Sequence, residues 1–226
     1  MLTTDSKIEE YISQHIDREP DNLHRLYRRV NTELLYSRMC SGHLQGRLLK
    51  MLTRMIRPHR VLELGTYAGY SALCIAEGLA DDTERVDTIE LEDELEDFIR
   101  RALDESEYGA RVRLHIGDAL ELLPALLDEN SYDMVYIDAN KRHYVEYFNL
   151  LAERLPSGAF ILADNTLWDG KVADAVEHHD AQTRGITAFN DLVASDDRVE
   201  KVILPLRDGL TLIYNCLLYT SDADDE

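Results

Sequence analysis

Cysteines are few in this sequence, and long apolar runs are lacking. The three thiols, Cys40, Cys74 and Cys216, lie far apart and form no C-x-x-C pair. This spacing indicates a reducing compartment and disfavours both a disulfide framework and a zinc site. No stretch reaches the roughly 18 apolar residues of a membrane span, and the first residues lack the basic start and apolar run of a signal peptide. We therefore expect an unexported protein of the cytoplasm.

Basic residues are also scarce. Lys and Arg number 24 against 44 Asp and Glu, which gives a net charge of −20. A negative field of this size repels nucleic acid and anionic membranes, so neither is an expected partner. The total charge does not report on a local basic patch.

The length and composition fit one α/β domain with a full core. The chain has 226 residues, of which 45% are hydrophobic and 30% charged, and we assign residues 1–215 to this domain. The last eleven residues, C-L-L-Y-T-S-D-A-D-D-E, resemble the translation of a transposon-type sequencing adapter. We therefore expect 216–226 to be a non-native tail.

Hydrophobic periodicity divides the domain into two parts. Residues 1–58 carry apolar side chains at helical spacing, which predicts an N-terminal helical segment ending at Pro58. From 59 to 215 strand and helix patterns alternate, which predicts a mostly parallel sheet covered on both faces. Strands are expected at 60–64, 85–90, 111–116, 132–137, 159–164, 199–204 and 209–214, and helices near 70–80, 92–106, 118–127, 142–154 and 182–195. Only 205–209 join the last two strands, too few residues for a crossover, so the last of the seven strands should be antiparallel.

The stretch V-L-E-L-G-T-Y-A-G-Y-S predicts a strand, a tight turn and the start of a helix. Gly65 and Gly69 let the backbone bend sharply and let a ligand approach the main chain. The spacing is G-x-x-x-G instead of the G-x-G-x-x-G of pyrophosphate sites, and Glu63 adds a negative charge that disfavours phosphate. The stretch therefore favours a cationic ligand without phosphate, although a plain turn between strand and helix gives the same pattern.

Acidic residues stand at the ends of four successive predicted strands. These are Glu90, Asp118, Asp138 and Asp164. Ligands of open α/β sheets bind beyond the carboxyl ends of the strands, and the acid that ends the second strand has the position of one that binds ribose hydroxyls. Any one of these acids alone is as well explained as a helix cap. Four in succession favour a binding site.

The fourth and fifth strands end in residues that suit a metal. If these strands are neighbours, the carboxylates of Asp138 and Asp164 start only about 5 Å apart and repel each other, so a cation between them is expected. Asn165 adds a neutral oxygen, and an all-oxygen set suits Mg²⁺, Mn²⁺ or Ca²⁺. Lys141 follows at the start of a helix, where a positive charge opposes the helix dipole, and it is a candidate general base or an ordinary surface lysine. Trp168 is a candidate wall of a substrate pocket or a packed loop residue.

Together these segments resemble the cation-dependent O-methyltransferases, the family of catechol and caffeoyl-CoA O-methyltransferases, and in particular its small bacterial members. The resemblance runs from about residue 37 to 215 through R-M-C-S-G-H-L-Q-G-R-L-L, V-L-E-L-G-T-Y-A-G-Y-S, I-E-L-E-D, I-G-D-A, Y-I-D-A-N-K, A-D-N-T-L-W-D-G-K-V and D-G-L-T-L. It implies a Rossmann-like class I methyltransferase fold and S-adenosylmethionine (SAM) as the methyl donor. It also implies a homodimer and a catechol-like small molecule as the methyl acceptor.

The resemblance also implies roles for individual residues. The methionine part of SAM is expected at Met39, Glu63, Gly65, Tyr67, Gly69 and Ser71, the ribose at Glu90, the adenine at Asp118 and Ala119, and the cofactor also near Asp138. The metal is expected on Asp138, Asp164 and Asn165, with Lys141 as the base and with Lys141, Asn165 and Trp168 facing the substrate. The implied reaction transfers the methyl group in line from sulfur to a phenolic oxygen whose hydroxyl is acidified by the metal.

Two departures from the family pattern and three rival functions remain. Asn140 stands where many relatives have Asp, and the native end after Asn215 is replaced.

One rival is a tRNA methyltransferase acting on a wobble hydroxyuridine, which the acidity disfavours. The second is a nicotinamide oxidoreductase, which the glycine spacing disfavours. The third is a non-catalytic nucleoside-binding module, which the complete set of metal ligands disfavours.

Overall fold

Helices precede the first strand, and strands and helices then alternate along the chain. The computed structural model describes residues 6–175, 178 and 180–216. The α-helices are α1 Ser6–His15, α2 Asp21–Glu33, α3 Gly42–Ile56, α4 Tyr70–Gly78, α5 Glu96–Asp104, α6 Ala119–Glu129, α7 Tyr144–Arg154 and α8 Ala181–Ser195. The strands are β1 Arg60–Leu64, β2 Arg85–Glu90, β3 Val112–Ile116, β4 Met134–Ile137, β5 Phe160–Asp164, β6 Val199–Leu204 and β7 Leu210–Asn215. Short 3₁₀ turns span Ser37–Met39, Asp93–Leu95, Gly109–Arg111, Lys141–His143 and Trp168–Ala173.

The strands form one seven-stranded sheet in the order β3-β2-β1-β4-β5-β7-β6. β1 to β5 pair in parallel, whereas β7 runs antiparallel to both β5 and β6. The prediction of a mostly parallel sheet with an antiparallel last strand is confirmed. The strand order reverses between β1 and β4, which is where open α/β sheets bind their ligands.

Side chains on the central strands alternate between two hydrophobic cores. On β4, Met134 and Tyr136 pack on one face of the sheet, and Val135 and Ile137 pack on the other. Strand side chains point alternately to the two faces, so a strand buried on both sides is apolar throughout. Helices α2 to α5 cover the first face and α6 to α8 cover the second. The sheet is therefore buried on both faces, and its ligands are expected at the carboxyl ends of the strands.

The observed element bounds differ from the predicted ones only near the ends. Arg111 belongs to a 3₁₀ turn and not to the third strand, and the fourth strand begins at Met134 and not at 132. The helices predicted at 92–106 and 142–154 each begin with a 3₁₀ turn. The predicted non-native tail lies outside the described residues from 217 onward. Over the part of the chain that the structure describes, no helix combines the length and apolarity needed to cross a membrane.

Candidate active site

The turn after β1 has the strained backbone that its glycines predict. Gly65 and Gly69 have φ of 96° and 80°, and Tyr67 between them has φ of 51°. A Cβ atom on Gly65 would lie 2.3 Å from the carbonyl oxygen of Asp138. Only glycine therefore allows the turn to pack against the end of β4. This close approach brings the predicted cofactor turn next to the predicted metal site.

Glu63 is fully buried beneath this turn. Burial raises the pKa of its carboxyl group to about 8, and hydroxyl groups of Ser71 and Thr88 oppose part of that rise. The Oε2 atom accepts a hydrogen bond from Thr88, while Oε1 is buried without a hydrogen-bond partner. A buried carboxylate with an unpaired oxygen is costly, so Glu63 is suited to a positively charged ligand.

Glu90 at the end of β2 is held by main-chain donors. Its Oε2 accepts from the Tyr67 amide at 2.6 Å and its Oε1 from the Glu92 amide at 2.9 Å. The carboxylate thus joins the glycine turn to the end of the neighbouring strand. Two backbone hydrogen bonds fix its orientation and leave its remaining lone pairs for another donor.

Asp118 acts as a helix cap in this structure. Its Oδ1 accepts a hydrogen bond of 2.8 Å from the Leu120 amide at the start of α6. The preceding Gly117 amide donates to the Glu90 carbonyl at 2.8 Å, which places the segment beside the end of β2. Ala119 is buried in the first turn of α6. The carboxylate of Asp118 is used for the cap, and its contact with adenine stays a prediction.

Asp138 and Asp164 lie side by side because β4 and β5 are adjacent and in register. Ile137 pairs with Ala163, so the next residue on each strand is one of the two aspartates. Lys141 is buried, and its Nζ donates to Asp138 Oδ1 at 2.6 Å. Burial is the largest cause of a raised pKa at Asp138; the Lys141 ammonium opposes it and the Asp164 carboxylate adds to it. Negative charge is therefore concentrated at this point of the sheet edge.

Asp164 is hydrogen-bonded on both carboxylate oxygens. Oδ2 accepts from Gln45 Nε2 at 2.7 Å and from the Tyr136 hydroxyl at 3.1 Å. Oδ1 accepts from the Asn165 amide at 2.9 Å. Asn165 has φ of 61°, a left-handed conformation that Asn tolerates better than most residues. The side chain of Asp164 is thus fixed by its surroundings.

The remaining predicted residues lie in the segments before α3, at the start of α4 and after β5. Met39 ends a 3₁₀ turn before α3 and is 56% exposed. Ser71 is buried in the first turn of α4. The Trp168 amide donates to the Asn165 carbonyl at 3.1 Å, and its indole Nε1 is buried without a partner. Apart from Met39, which precedes α3, the predicted site residues therefore lie in the segments that follow the carboxyl ends of β1 to β5 or at those ends themselves.

Comparisons with known proteins identify the family of the chain. A family model described as O-methyltransferase matches residues 12–216. The chain belongs to this O-methyltransferase family. The catechol O-methyltransferase of Niastella koreensis is 32% identical over 164 residues, 72% of this chain and 73% of that protein. The caffeoyl-CoA O-methyltransferase of Petroselinum crispum is 30% identical over 207 residues, 86% of this chain and 84% of that protein.

A solved structure extends the likeness to the fold. The O-methyltransferase TomG from Streptomyces achromogenes, in complex with SAM, superposes with a TM-score of 0.86 and 30% identity over 93% of this chain and 96% of that one. The predicted class I methyltransferase fold is confirmed. The chain is accordingly an O-methyltransferase of the SAM-dependent class.

The residues present fit both groups that this family membership implies. For a metal, the two carboxylates and the amide oxygen of Asn165 form the hard oxygen set that Mg²⁺ favours. Over the described residues, no cluster of three or more His, Cys, Asp or Glu side chains suits a metal. A metal held by two carboxylates and one amide would take its further ligands from water or substrate. For the cofactor, the unpaired Oε1 of Glu63 and the fixed carboxylate of Glu90 supply the acceptors that a cationic nucleoside needs.

Three contributors to this site were not predicted from the sequence. They are Gln45 on α3, Tyr136 on β4 and Arg207 between β6 and β7. Gln45 is one of the buried residues of α3. A polar residue among the apolar residues of this helix is the sequence feature that could have marked it as a site residue. Tyr136 sits in an apolar strand and Arg207 in a turn, and neither position marks a site residue.

The burial of Glu63 predicts how stability changes with pH. Its pKa of about 8 in the folded protein exceeds its ordinary value of 4.5. Between these two values the folded state keeps a proton that the unfolded chain has released. The free energy of unfolding should therefore fall as the pH rises through this window, by up to about 1.4 kcal/mol per pH unit from this group.

The variant Glu63→Gln removes this titration. Relative to the unaltered protein without ligand, its free energy of unfolding in denaturant should increase steadily as the pH rises from 4.5 to 8. Glu129→Gln, at an exposed position, is the matched control and should follow the unaltered protein. A difference between Glu63→Gln and the unaltered protein that stays constant across the window would contradict the raised pKa of Glu63.

Proposed function

We propose that this O-methyltransferase uses a divalent cation and SAM to methylate a hydroxyl group of a catechol-like small molecule. The observation that carries the proposal is the pair of adjacent carboxylates, Asp138 and Asp164, next to Asn165 and the buried Lys141. Catechol and caffeoyl-CoA are the acceptors named for two of the relatives. An open oxygen-ligand site is suited to an acceptor with two neighbouring oxygens.

The cofactor is proposed to lie across the turn that follows β1. Its sulfonium would be close to Glu63, whose buried carboxyl group is costly to ionise without a cation. Its ribose hydroxyls would donate to Glu90, which two main-chain amides hold in place. Met39, Tyr67 and the helix start at Ser71 would surround the methionine part, with Ala119 on the adenine side. Asp118 caps α6 through its Oδ1, and its contact with adenine stays a prediction.

The metal would be held by Asp138, Asp164 and Asn165. A divalent cation there would supply Lewis acidity that lowers the pKa of a catechol hydroxyl and fixes its position. The protein contributes preorganisation, because Asp164 is already oriented by Gln45, Tyr136 and the Asn165 amide. Trp168 would form a wall for the acceptor ring beside Asn165.

The residues of the site then account for the reaction. The acceptor oxygen attacks the methyl carbon, the carbon–oxygen bond forms as the carbon–sulfur bond breaks, and the electron pair remains on sulfur. Lys141 in its neutral form accepts the hydroxyl proton at Nζ. The positive charge on sulfur disappears in this step, so low exposure to water favours it, and Glu63 and Lys141 beside the proposed site are both buried.

Further properties of the chain bear on other acceptors and on the oligomeric state. The net charge of −20 disfavours tRNA as an acceptor, and membership of the O-methyltransferase family removes the nicotinamide oxidoreductase and the non-catalytic module. The homodimer stays a prediction. Exposed apolar side chains on α1 and α3, among them Tyr11 and Met55, favour it, and a single 25.9 kDa species in light scattering would contradict it.

The variant Asp164→Asn tests the metal site. It keeps the side-chain volume and removes one negative charge, so Mg²⁺-dependent methylation of catechols should fall by ~10³-fold or more, equal to about 4 kcal/mol of transition-state stabilisation. SAM affinity, measured by calorimetry, should change little. The assay uses catechols and tRNA, each with and without Mg²⁺. Full activity of the unaltered protein in excess EDTA would contradict the proposal, and methylation of tRNA alone would assign a different acceptor.

Two substitutions of Lys141 separate its charge from its basicity. Lys141→Met should lower kcat by roughly 10²- to 10⁴-fold with little change in KM, because the general base is lost. Lys141→Arg keeps a cation beside Asp138 but has no accessible neutral form, so it should lose a similar factor. Higher pH should restore part of the activity of both variants, since the acceptor then ionises without a base. Near-normal activity of Lys141→Arg would show that Lys141 serves only as the partner of Asp138.

A further inference from the structure

We propose that Arg207 and Gln45 are positioning residues that orient Asp164 for metal binding. The inference rests on the proposed metal site and assigns to it two residues outside its ligand set. Arg207 lies in the turn between β6 and β7, and Gln45 lies in α3, more than 160 residues away along the chain. Neither residue is expected to contact the metal. They would act through the carboxylate of Asp164.

Arg207 has a strained backbone, and its side chain makes three hydrogen bonds. Its φ is 51°, in the left-handed region that favours glycine. Its Nη1 donates to the carbonyl of Ser41 and, at 2.7 Å, to Gln45 Oε1. Its Nη2 donates to the carbonyl of Cys40 at 3.3 Å. The guanidinium is thus fixed against the start of α3 by three acceptors.

This contact determines which way the amide of Gln45 faces. Arginine is only a donor, so the oxygen of the Gln45 amide must face Arg207 and its NH₂ group must face the opposite direction. Gln45 is 2% exposed, and its Nε2 donates to Asp164 Oδ2 at 2.7 Å and to the Tyr136 hydroxyl at 2.8 Å. Both amide hydrogens are therefore used. A reversed amide would place an oxygen against a carboxylate.

The amide in turn determines which oxygen Asp164 offers to a metal. Oδ2 accepts from Gln45 and from the hydroxyl of Tyr136, so both of its lone pairs are occupied. Among the hydrogen bonds described for this carboxylate, Oδ1 accepts one, from the main-chain amide of Asn165. One lone pair of Oδ1 therefore remains for a cation, and Asp164 is preorganised as a ligand through a single oxygen. Hydrogen bonds of this kind set the orientation and affinity of metal ligands.

The direction in which cation affinity changes when Arg207 is replaced separates a positioning role from a purely electrostatic one. Removing the positive charge of Arg207 should tighten the binding of a cation if only Coulomb repulsion acted. Loss of positioning should weaken it, by about 10- to 100-fold for a residue that orients a metal ligand. Gln45 is neutral, so replacing it changes the positioning without changing the charge. The two residues together therefore test the proposal without ambiguity.

The experiment measures Mn²⁺ binding to the full chain by electron paramagnetic resonance without an acceptor. Gln45→Met and Arg207→Gly should each weaken Mn²⁺ binding by about 10- to 100-fold. Arg207→Gly suits the backbone at φ of 51° and should fold. Arg207→Lys keeps a donor for Gln45 Oε1 and should lose less than Arg207→Gly. In turnover assays the KM for Mg²⁺ should rise in the variants more than kcat falls.

The controls separate failure of this inference from failure of the proposed function. Arg111→Gln removes an arginine that donates to two backbone carbonyls far from the site, and it should bind Mn²⁺ as the unaltered protein does. SAM affinity should be unchanged in all variants that fold. If the unaltered protein binds no Mn²⁺, the metal site itself is wrong. If it binds Mn²⁺ and Arg207→Gly binds equally or more tightly, the positioning role is wrong while the metal site stands.

Discussion

The site depends on two carboxylates that the fold forces together. Asp138 and Asp164 end adjacent parallel strands in register, so their backbones are fixed about 5 Å apart whatever the side chains do. Ionised carboxylates at that separation repel each other, and burial removes the water that would screen them. The chain compensates with the buried ammonium of Lys141 on one side and with amide and hydroxyl donors on the other. A divalent cation between the carboxylates would relieve the remaining repulsion between them.

Further acidic side chains lie at the carboxyl ends of the strands, and their distribution favours the ligands proposed above. Glu63 is fully buried with one unpaired oxygen, and Glu90 presents a carboxylate fixed by two amides. Phosphate groups would meet repulsion here, whereas a sulfonium, ribose hydroxyls and a metal ion would meet acceptors. The preference for cationic and neutral ligands therefore follows from the local charges and does not require the net charge of the whole chain.

The sequence predicted the parts of this site that lie along one strand and its following turn. Glu63 and Gly65 stand in one short segment, so their relation is visible without the fold, and the acids that end strands are placed by the sheet itself. Contacts between distant segments were not predictable. The roles proposed for Gln45 and Arg207 depend on a contact between α3 and the β6–β7 turn, two segments that lie far apart in the sequence. Asp118 shows why position alone is ambiguous. An acidic residue between a strand and a helix can contact a ligand or cap the helix, and the structure shows the cap.

The reversed last strand explains how Arg207 reaches the site. β7 runs antiparallel to both β5 and β6, so β6 points in the same direction as β5. The turn that follows β6 therefore lies at the carboxyl end of β5, the edge where ligands bind. Its backbone is joined to the residues after Asp164 by hydrogen bonds from the Thr166 and Leu167 amides. A parallel last strand would need a crossover connection and would leave this edge without the hairpin turn. The antiparallel pairing thus places the Arg207 guanidinium at the start of α3, where it donates to Gln45 and to the carbonyls of Cys40 and Ser41.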